Sequence, residues 1–136
     1  VMNPLYPFVA ARARHRCEYC RAPEAVFNFP FEVEHILPQS QGGTGEESNL
    51  ALACRSCNLR KSDHRVGRDD QTGRESALFH PRRDQWDGHF VYHPESRTIV
   101  GLTPIGRATV DRLQLNSPGQ LAARHQWTRL GVFPTS

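Results

Sequence analysis

The sequence predicts an α+β fold: a strand–loop–strand–helix unit in the first half, one helix before it, and a β-hairpin with two helices after it. Three observations carry this. The stretches Phe31–Leu37 and Asn49–Cys54 read as short strands on either side of a Gly-rich loop. Four cysteines fall as two Cys-x-x-Cys pairs, Cys17/Cys20 and Cys54/Cys57, with 33 residues between them. Thr103-Pro104 and Ser117-Pro118 each place an N-cap before a proline suited to the first helical position.

A chain of 136 residues fits one compact unit with a small appendage. Its 38% hydrophobic content supplies a modest core, and small cores need a staple. The cysteines supply it. A two-residue gap points both sulfurs of a pair at one ion, so Cys17, Cys20, Cys54 and Cys57 are expected to hold a structural Zn²⁺. The N-terminal VMNPLYPFVA lacks a basic start and a long apolar run, and no stretch reaches membrane-helix length. With thiols reserved for metal, no membrane partner and a cytoplasmic setting are expected.

The net charge of +3 is spread over both halves, and sixteen of the seventeen cations are arginine. Arginine suits bidentate phosphate contact, and a GC-rich coding sequence explains the same bias. A nucleic-acid surface therefore has to be assembled by folding.

In chain order, Pro7–Arg16 reads as a short helix with Val9 and Ala13 inward. Arg12, Arg14 and Arg16 face outward, as solvated charges or phosphate contacts. After the first cysteine knuckle, Phe27 and Phe29 alternate in a linker. In the first strand Phe31 and Val33 share one face, and Glu32 and Glu34 the other; Pro38 ends it. In the second strand Leu50 and Leu52 share a face, and a helix is expected from about Arg55 to Asp63. His64 to Phe79 lacks apolar periodicity and reads as an exposed connection. Phe90–His93 and Arg97–Val100 make a hairpin. Helices are expected over 104–115 and 118–130, the second packing through Ala123, Trp127 and Leu130. Trp86 and Trp127 are assigned to the core. The boundary between the site-bearing unit and its extension falls between residues 66 and 67, giving regions 1–66 and 67–136.

The ordered set Glu34-His35-Ile36-x-Pro38, Gly42-Gly43, Asn49-Leu50 and Cys54-x-x-Cys57-Asn58-x-x-Lys61 resembles the HNH endonucleases from Cys17 to about His64. The segment from LFHPRRDQWDGHF to GLTPIGRATVDRL resembles the LFxPR-type C-terminal extension of a group of small bacterial HNH proteins. The resemblance implies a ββα-metal (His-Me finger) core and divalent-metal-dependent hydrolysis of DNA. It places a catalytic Mg²⁺ or Mn²⁺ on Glu34 and Asn58, with Asn49 orienting the histidine.

The residue chemistry agrees. A neutral His35 is a competent general base near neutral pH. A hard cation takes oxygen ligands, here a carboxylate and an amide. The family's usual residue before the histidine is Asp, and Glu34 is one methylene longer. In a regular strand Glu34 and His35 also point to opposite faces. Glu32 is either an auxiliary carboxylate or a solvated one.

In this fold the helix lies along the minor groove of duplex DNA, which makes Arg55, Arg60 and Lys61 candidate phosphate contacts. Arg82 and Arg83, beside Trp86, are a second candidate pair, unless the tail only caps the core. His64, His80, His89 and His93 have no ligand spacing and are expected to be packing or surface residues. Cutting both strands of a duplex from one site calls for a homodimer or two encounters. A non-catalytic zinc-ribbon-like nucleic-acid-binding module stays open as the alternative.

Overall fold

The computed structural model describes residues 2–134. β1 (Glu32–His35) and β2 (Leu50–Ala53) pair antiparallel, with Glu32 opposite Ala53 and His35 opposite Leu50. Cys54 alone separates β2 from helix α2 (Arg55–Lys61). The expected strand–loop–strand–helix order is present. β2, however, is buried along its whole length and does not alternate. Both α1 (Tyr6–Arg12) and α2 pack against this hairpin, so neither face of LALA meets water.

α1 is shorter than the predicted Pro7–Arg16. The chain turns out of it through Arg14 and His15, both left-handed at φ 55°. The turn brings His15 Nδ1 to Glu24 Oε1 at 2.7 Å. Glu24 also accepts from Tyr6 Oη and from the Phe31 amide, each at 2.7 Å. One buried carboxylate thus ties α1 to the entrance of β1. Arg12 and Arg16, expected to face outward, are half-buried. Arg12 donates to Leu50 O at 2.7 Å and Arg16 to Val132 O at 2.6 Å.

The predicted exposed connection contains a second hairpin, β3 (Val66–Arg68) with β4 (Glu75–Ala77). Its strands are mostly exposed and carry no apolar alternation, so no local pattern marks them as strands. It is fixed from outside. Asp69 in its turn is buried and takes both Nε and Nη2 of Arg107 at 2.7 and 3.0 Å.

A short helix α3 (Trp86–His89) leads into the third hairpin, β5 (Phe90–His93) with β6 (Thr98–Gly101). α4 (Pro104–Leu113) and α5 (Pro118–Arg129) follow, capped as expected by the Thr103 and Ser117 hydroxyls. α4 crosses tightly over the end of β5–β6: a Cβ on Gly106 would stand 2.0 Å from the His89 carbonyl oxygen. The inner face of α5 is Gln120, Arg124 and Trp127. Leu130, assigned to that face from periodicity, is 67% exposed. Arg124 takes the interior position because it has acceptors there, donating to Arg97 O and Leu115 O at 2.6 Å each.

A single cluster of buried side chains runs through Val9, Tyr19, Leu52, Phe79, Phe90, Leu113 and Trp127. Residues on both sides of position 66 therefore share one core. Trp127 is buried as expected, while Trp86 is half-buried. No helix among the described residues is long and apolar enough to cross a membrane.

Candidate metal centre and catalytic site

The four thiols come together first. Cys17, Cys20, Cys54 and Cys57 are buried and their sulfurs all lie within 4.8 Å of one another. Cys20 Sγ and Cys54 Sγ are 3.7 Å apart. Four sulfurs around a tetrahedral zinc at about 2.3 Å stand about 3.8 Å from each other, so the set fits Zn²⁺. Left-handed Arg21 (φ 63°) closes the first knuckle, with its amide on Cys17 O at 2.9 Å. Cys54 closes the second and also caps α2, accepting from the Cys57 amide at 3.5 Å. Hydrogen bonds from its neighbours, Cys17 foremost, hold the Cys20 thiol well below the ordinary range. Those with Cys17 and Cys20 push Cys54 up. Zinc binds cysteine as the thiolate, and the convergence of four sulfurs on one point suits that ion.

The residues between the ligands connect this centre to the rest of the site. The Tyr19 hydroxyl donates to Glu34, and the Trp86 indole donates to Tyr19 O at 2.9 Å. Glu18 pairs with Arg82 and accepts from the Leu52 amide at 2.8 Å.

His35 ends β1 and is half-buried; among the described residues its side chain has no hydrogen-bond partner. The backbone beyond it is clamped by Asn49. Asn49 Oδ1 accepts from the Leu37 amide at 2.8 Å, and Nδ2 donates to Leu37 O and Thr44 O at 3.0 and 2.8 Å. The clamp explains Gly43, where a Cβ would fall 1.7 Å from Leu37 O and 2.9 Å from Asn49 Nδ2.

Glu34 is buried beneath α2. Besides Tyr19 it meets Lys61 Nζ at 3.2 Å, and Lys61 also donates to Ile36 O at 3.0 Å. Burial pushes the Glu34 carboxyl up, against the attraction of Lys61 and the Tyr19 hydrogen bond. The Asn58 amide meets Glu32, not Glu34, and Arg55 Nη1 lies 3.8 Å from Glu32 Oε1. Two carboxylates of β1 thus face α2. Glu32 and Asn58 are half-buried, and Glu34 is enclosed by Tyr19 and Lys61. The oxygen donors suit a hard divalent ion. Tyr19 and Lys61 each take one of the Glu34 oxygens, and an ion there would share those oxygens with them.

The expected phosphate contacts separate. Lys61 is 2% exposed and belongs to the interior, which corrects its placement on a solvent-facing surface. Its partner Glu34 lies on another element, out of reach of local pattern. Arg60 is exposed and donates to Gln114 O at 3.3 Å. Arg82 is half-buried against Glu18, and Arg83 is exposed. His80 accepts the Arg82 and Arg83 amides through Nδ1, and His89 bonds the Thr103 hydroxyl. Among the described residues no other His, Cys, Asp or Glu group forms a metal cluster. Sequence reading left out Tyr19, whose position inside the knuckle was the available signal, and Glu18 beside it.

Residues 17–64 match the family model for HNH endonuclease. The β1–β2–α2 order and the four-Cys cluster of this stretch fit the ββα-metal core of that family. The domain supports a nuclease-type function acting on nucleic acid. No curated protein and no solved structure matches the chain.

Proposed function

We propose that the protein is a divalent-metal-dependent endonuclease hydrolysing phosphodiester bonds of double-stranded DNA. The observation that carries the reading is His35. It stands half-buried and unpartnered among the described residues at the end of β1, with the following backbone held by Asn49. In this reading His35 takes the proton of the attacking water at an imidazole nitrogen. Asn49 keeps the His35 backbone in place. Asn58 and Glu34 hold the Mg²⁺ or Mn²⁺, with Glu32 as the second carboxylate within reach of Asn58. When bound, such an ion neutralises phosphate charge and stabilises the leaving 3′-oxygen. The products are a 5′-phosphate and a 3′-hydroxyl. Arg55, Arg60 and Arg83 contribute phosphate contacts.

The test is incubation of supercoiled plasmid with Mg²⁺ or Mn²⁺, using wild type, His35→Ala, Glu34→Gln and Glu32→Gln. Wild type nicks or linearises the plasmid. His35→Ala loses cleavage by at least about 10²-fold, the scale of a general base, while zinc stays bound. Equal nicking by His35→Ala would falsify the assignment. The two carboxylate variants tell which one the ion uses.

One observation favours the alternative, a non-catalytic zinc-ribbon-like nucleic-acid binder: Tyr19 and Lys61 already engage the Glu34 carboxylate. That reading expects DNA retention with steep salt dependence and no cleavage with any divalent ion.

A further inference from the structure

A cluster of arginines lies away from α2. A cleft of about 640 Å³ opens between the end of α1, the first zinc knuckle and the segment Phe79–Trp86. Five guanidinium groups, Arg12, Arg14, Arg16, Arg21 and Arg82, line it against the carboxylates of Glu18 and Asp84. Arg21 stacks over the Trp86 ring at 4.1 Å, which covers one face of the indole.

A second cleft, about 620 Å³, shares Phe79, Arg82 and Asp84 with the first. It runs back to Leu37, Asn49 and Lys61, beside the His35 loop, and adds Arg65 and Arg83 to its walls. The shared residues set the two clefts side by side between the candidate catalytic end of β1 and the zinc knuckle.

The carboxylates of the fold offset this charge only in part: Glu18 pairs with Arg82, and Arg21 lies 3.9 Å from the exposed Asp87. Arg12 and Arg82 share the same wall with Glu18 as the carboxylate between them, and burial and the Arg82 charge both weaken the Arg12 guanidinium. Arg12 Nε and Arg82 Nη1 are each shielded from solvent and, among the described residues, without an acceptor. Grouping like charges in a partly buried wall is costly unless an anion accompanies them. Each cleft has the volume of a small-ligand pocket and no room for a duplex.

We propose that these arginine-lined clefts bind the phosphates of one nucleic-acid strand as it leaves the catalytic end, with Arg14 and Arg21 of the first making direct contacts. The proposal rests on the nuclease reading for the identity of the ligand. It moves the main electrostatic footprint from α2 to a surface built by α1, the knuckle and the C-terminal extension.

The test measures binding without cleavage, so it is independent of whether the protein cuts. Fluorescence anisotropy follows a labelled single-stranded 12-mer and its duplex with the full chain carrying His35→Ala. In that background Arg14→Glu/Arg21→Glu is compared with Arg129→Glu, an exposed α5 residue outside both clefts. The double variant is expected to weaken binding on the order of tenfold and to reduce the slope of log K against log salt by about two. The control stays within about twofold of the parent. Zinc content and melting temperature report folding, and Arg14→Gln/Arg21→Gln replaces the charge reversal where that fails to fold. Wild-type affinity and slope in the folded double variant would overturn the proposal. So would a melting temperature raised by inorganic phosphate beyond chloride of equal ionic strength and lost in the double variant, with DNA affinity unchanged. That result would assign the cleft to a small phosphate compound.

Discussion

At the residue scale two glutamates in one small domain have opposite electrostatics. Glu34 is buried with its carboxyl pushed up by burial, and Lys61 at 3.2 Å offsets that penalty. Lys61→Met should leave an unpaired carboxylate under α2. Breaking a buried pair from one side costs about 3–5 kcal/mol, whereas removing both charges is far less damaging. We therefore expect Lys61→Met to lose about 3 kcal/mol in urea unfolding, and Glu34→Gln/Lys61→Met to recover most of it. The pH dependence follows from the sign. A carboxyl whose folded pKa is raised holds its proton more tightly in the native state, so the loss in Lys61→Met grows as pH rises above the ordinary 4.5. A pH-independent loss would rule out an electrostatic origin. Glu24 behaves the other way. Burial pushes it up, but the Phe31 amide, His15 and Tyr6 outweigh burial and hold it below its ordinary value. Its contribution is present above the unfolded pKa and disappears as pH falls through the folded one. Glu24→Gln should therefore be less sensitive to acid than wild type when unfolding is followed by circular dichroism below pH 5, the range in which paired carboxylates protonate.

At the element scale the loop between β1 and β2 is an Asn49-centred clamp, and Gly43 makes it closable. Gly43 donates its amide to Pro38 O at 3.0 Å, and a methyl group there would overlap Leu37 O at 1.7 Å. Gly43→Ala is expected to open the clamp, costing about 1–3 kcal/mol of stability. Under the nuclease reading it should cut plasmid nicking more than a stability loss of that size explains, with zinc content unchanged. Wild-type nicking would show that the clamp has no part in placing His35. This loop, β1, β2 and α2 were legible because each carries its own local signal: short apolar runs for the strands, glycines for the loop, and a cysteine knuckle leading into the helix. The α4 and α5 starts were legible for the same reason, through Thr103-Pro104 and Ser117-Pro118. β3 and β4 were not, because their stability comes from Asp69 meeting Arg107, 38 residues away. Lys61 misled in the same manner, and Arg124 gave no sign of its interior place. Their residue type reads as surface, and only long-range acceptors, Ile36 O, Glu34, Arg97 O and Leu115 O, make burial affordable.

At the scale of the whole molecule, the domain matched by residues 17–64 does not bury itself. Tyr19, inside the first knuckle, packs edge-on to Phe79, and its carbonyl takes the Trp86 indole. Phe27 and Phe31, just before β1, sit against each other, with Trp127 at 6.1 Å from Phe27. Glu18 is paired with Arg82. A chain ending at residue 66 would keep all four cysteines and lose Leu78, Phe79, Phe90, Leu113 and Trp127 from the common core. Each buried large apolar side chain contributes about 1.5–3 kcal/mol, and a domain's whole stability is about 5–15 kcal/mol. The truncated chain should therefore bind zinc through its thiols yet show no cooperative thermal transition by circular dichroism. The full chain should melt cooperatively and lose that transition when a chelator removes zinc. A cooperative melt of residues 1–66 at the full-length temperature would mean that the extension only decorates a self-sufficient zinc-stapled core. The shared cluster through Tyr19 and Phe79 argues against that outcome, because the knuckle that holds the metal is the surface on which the extension is packed.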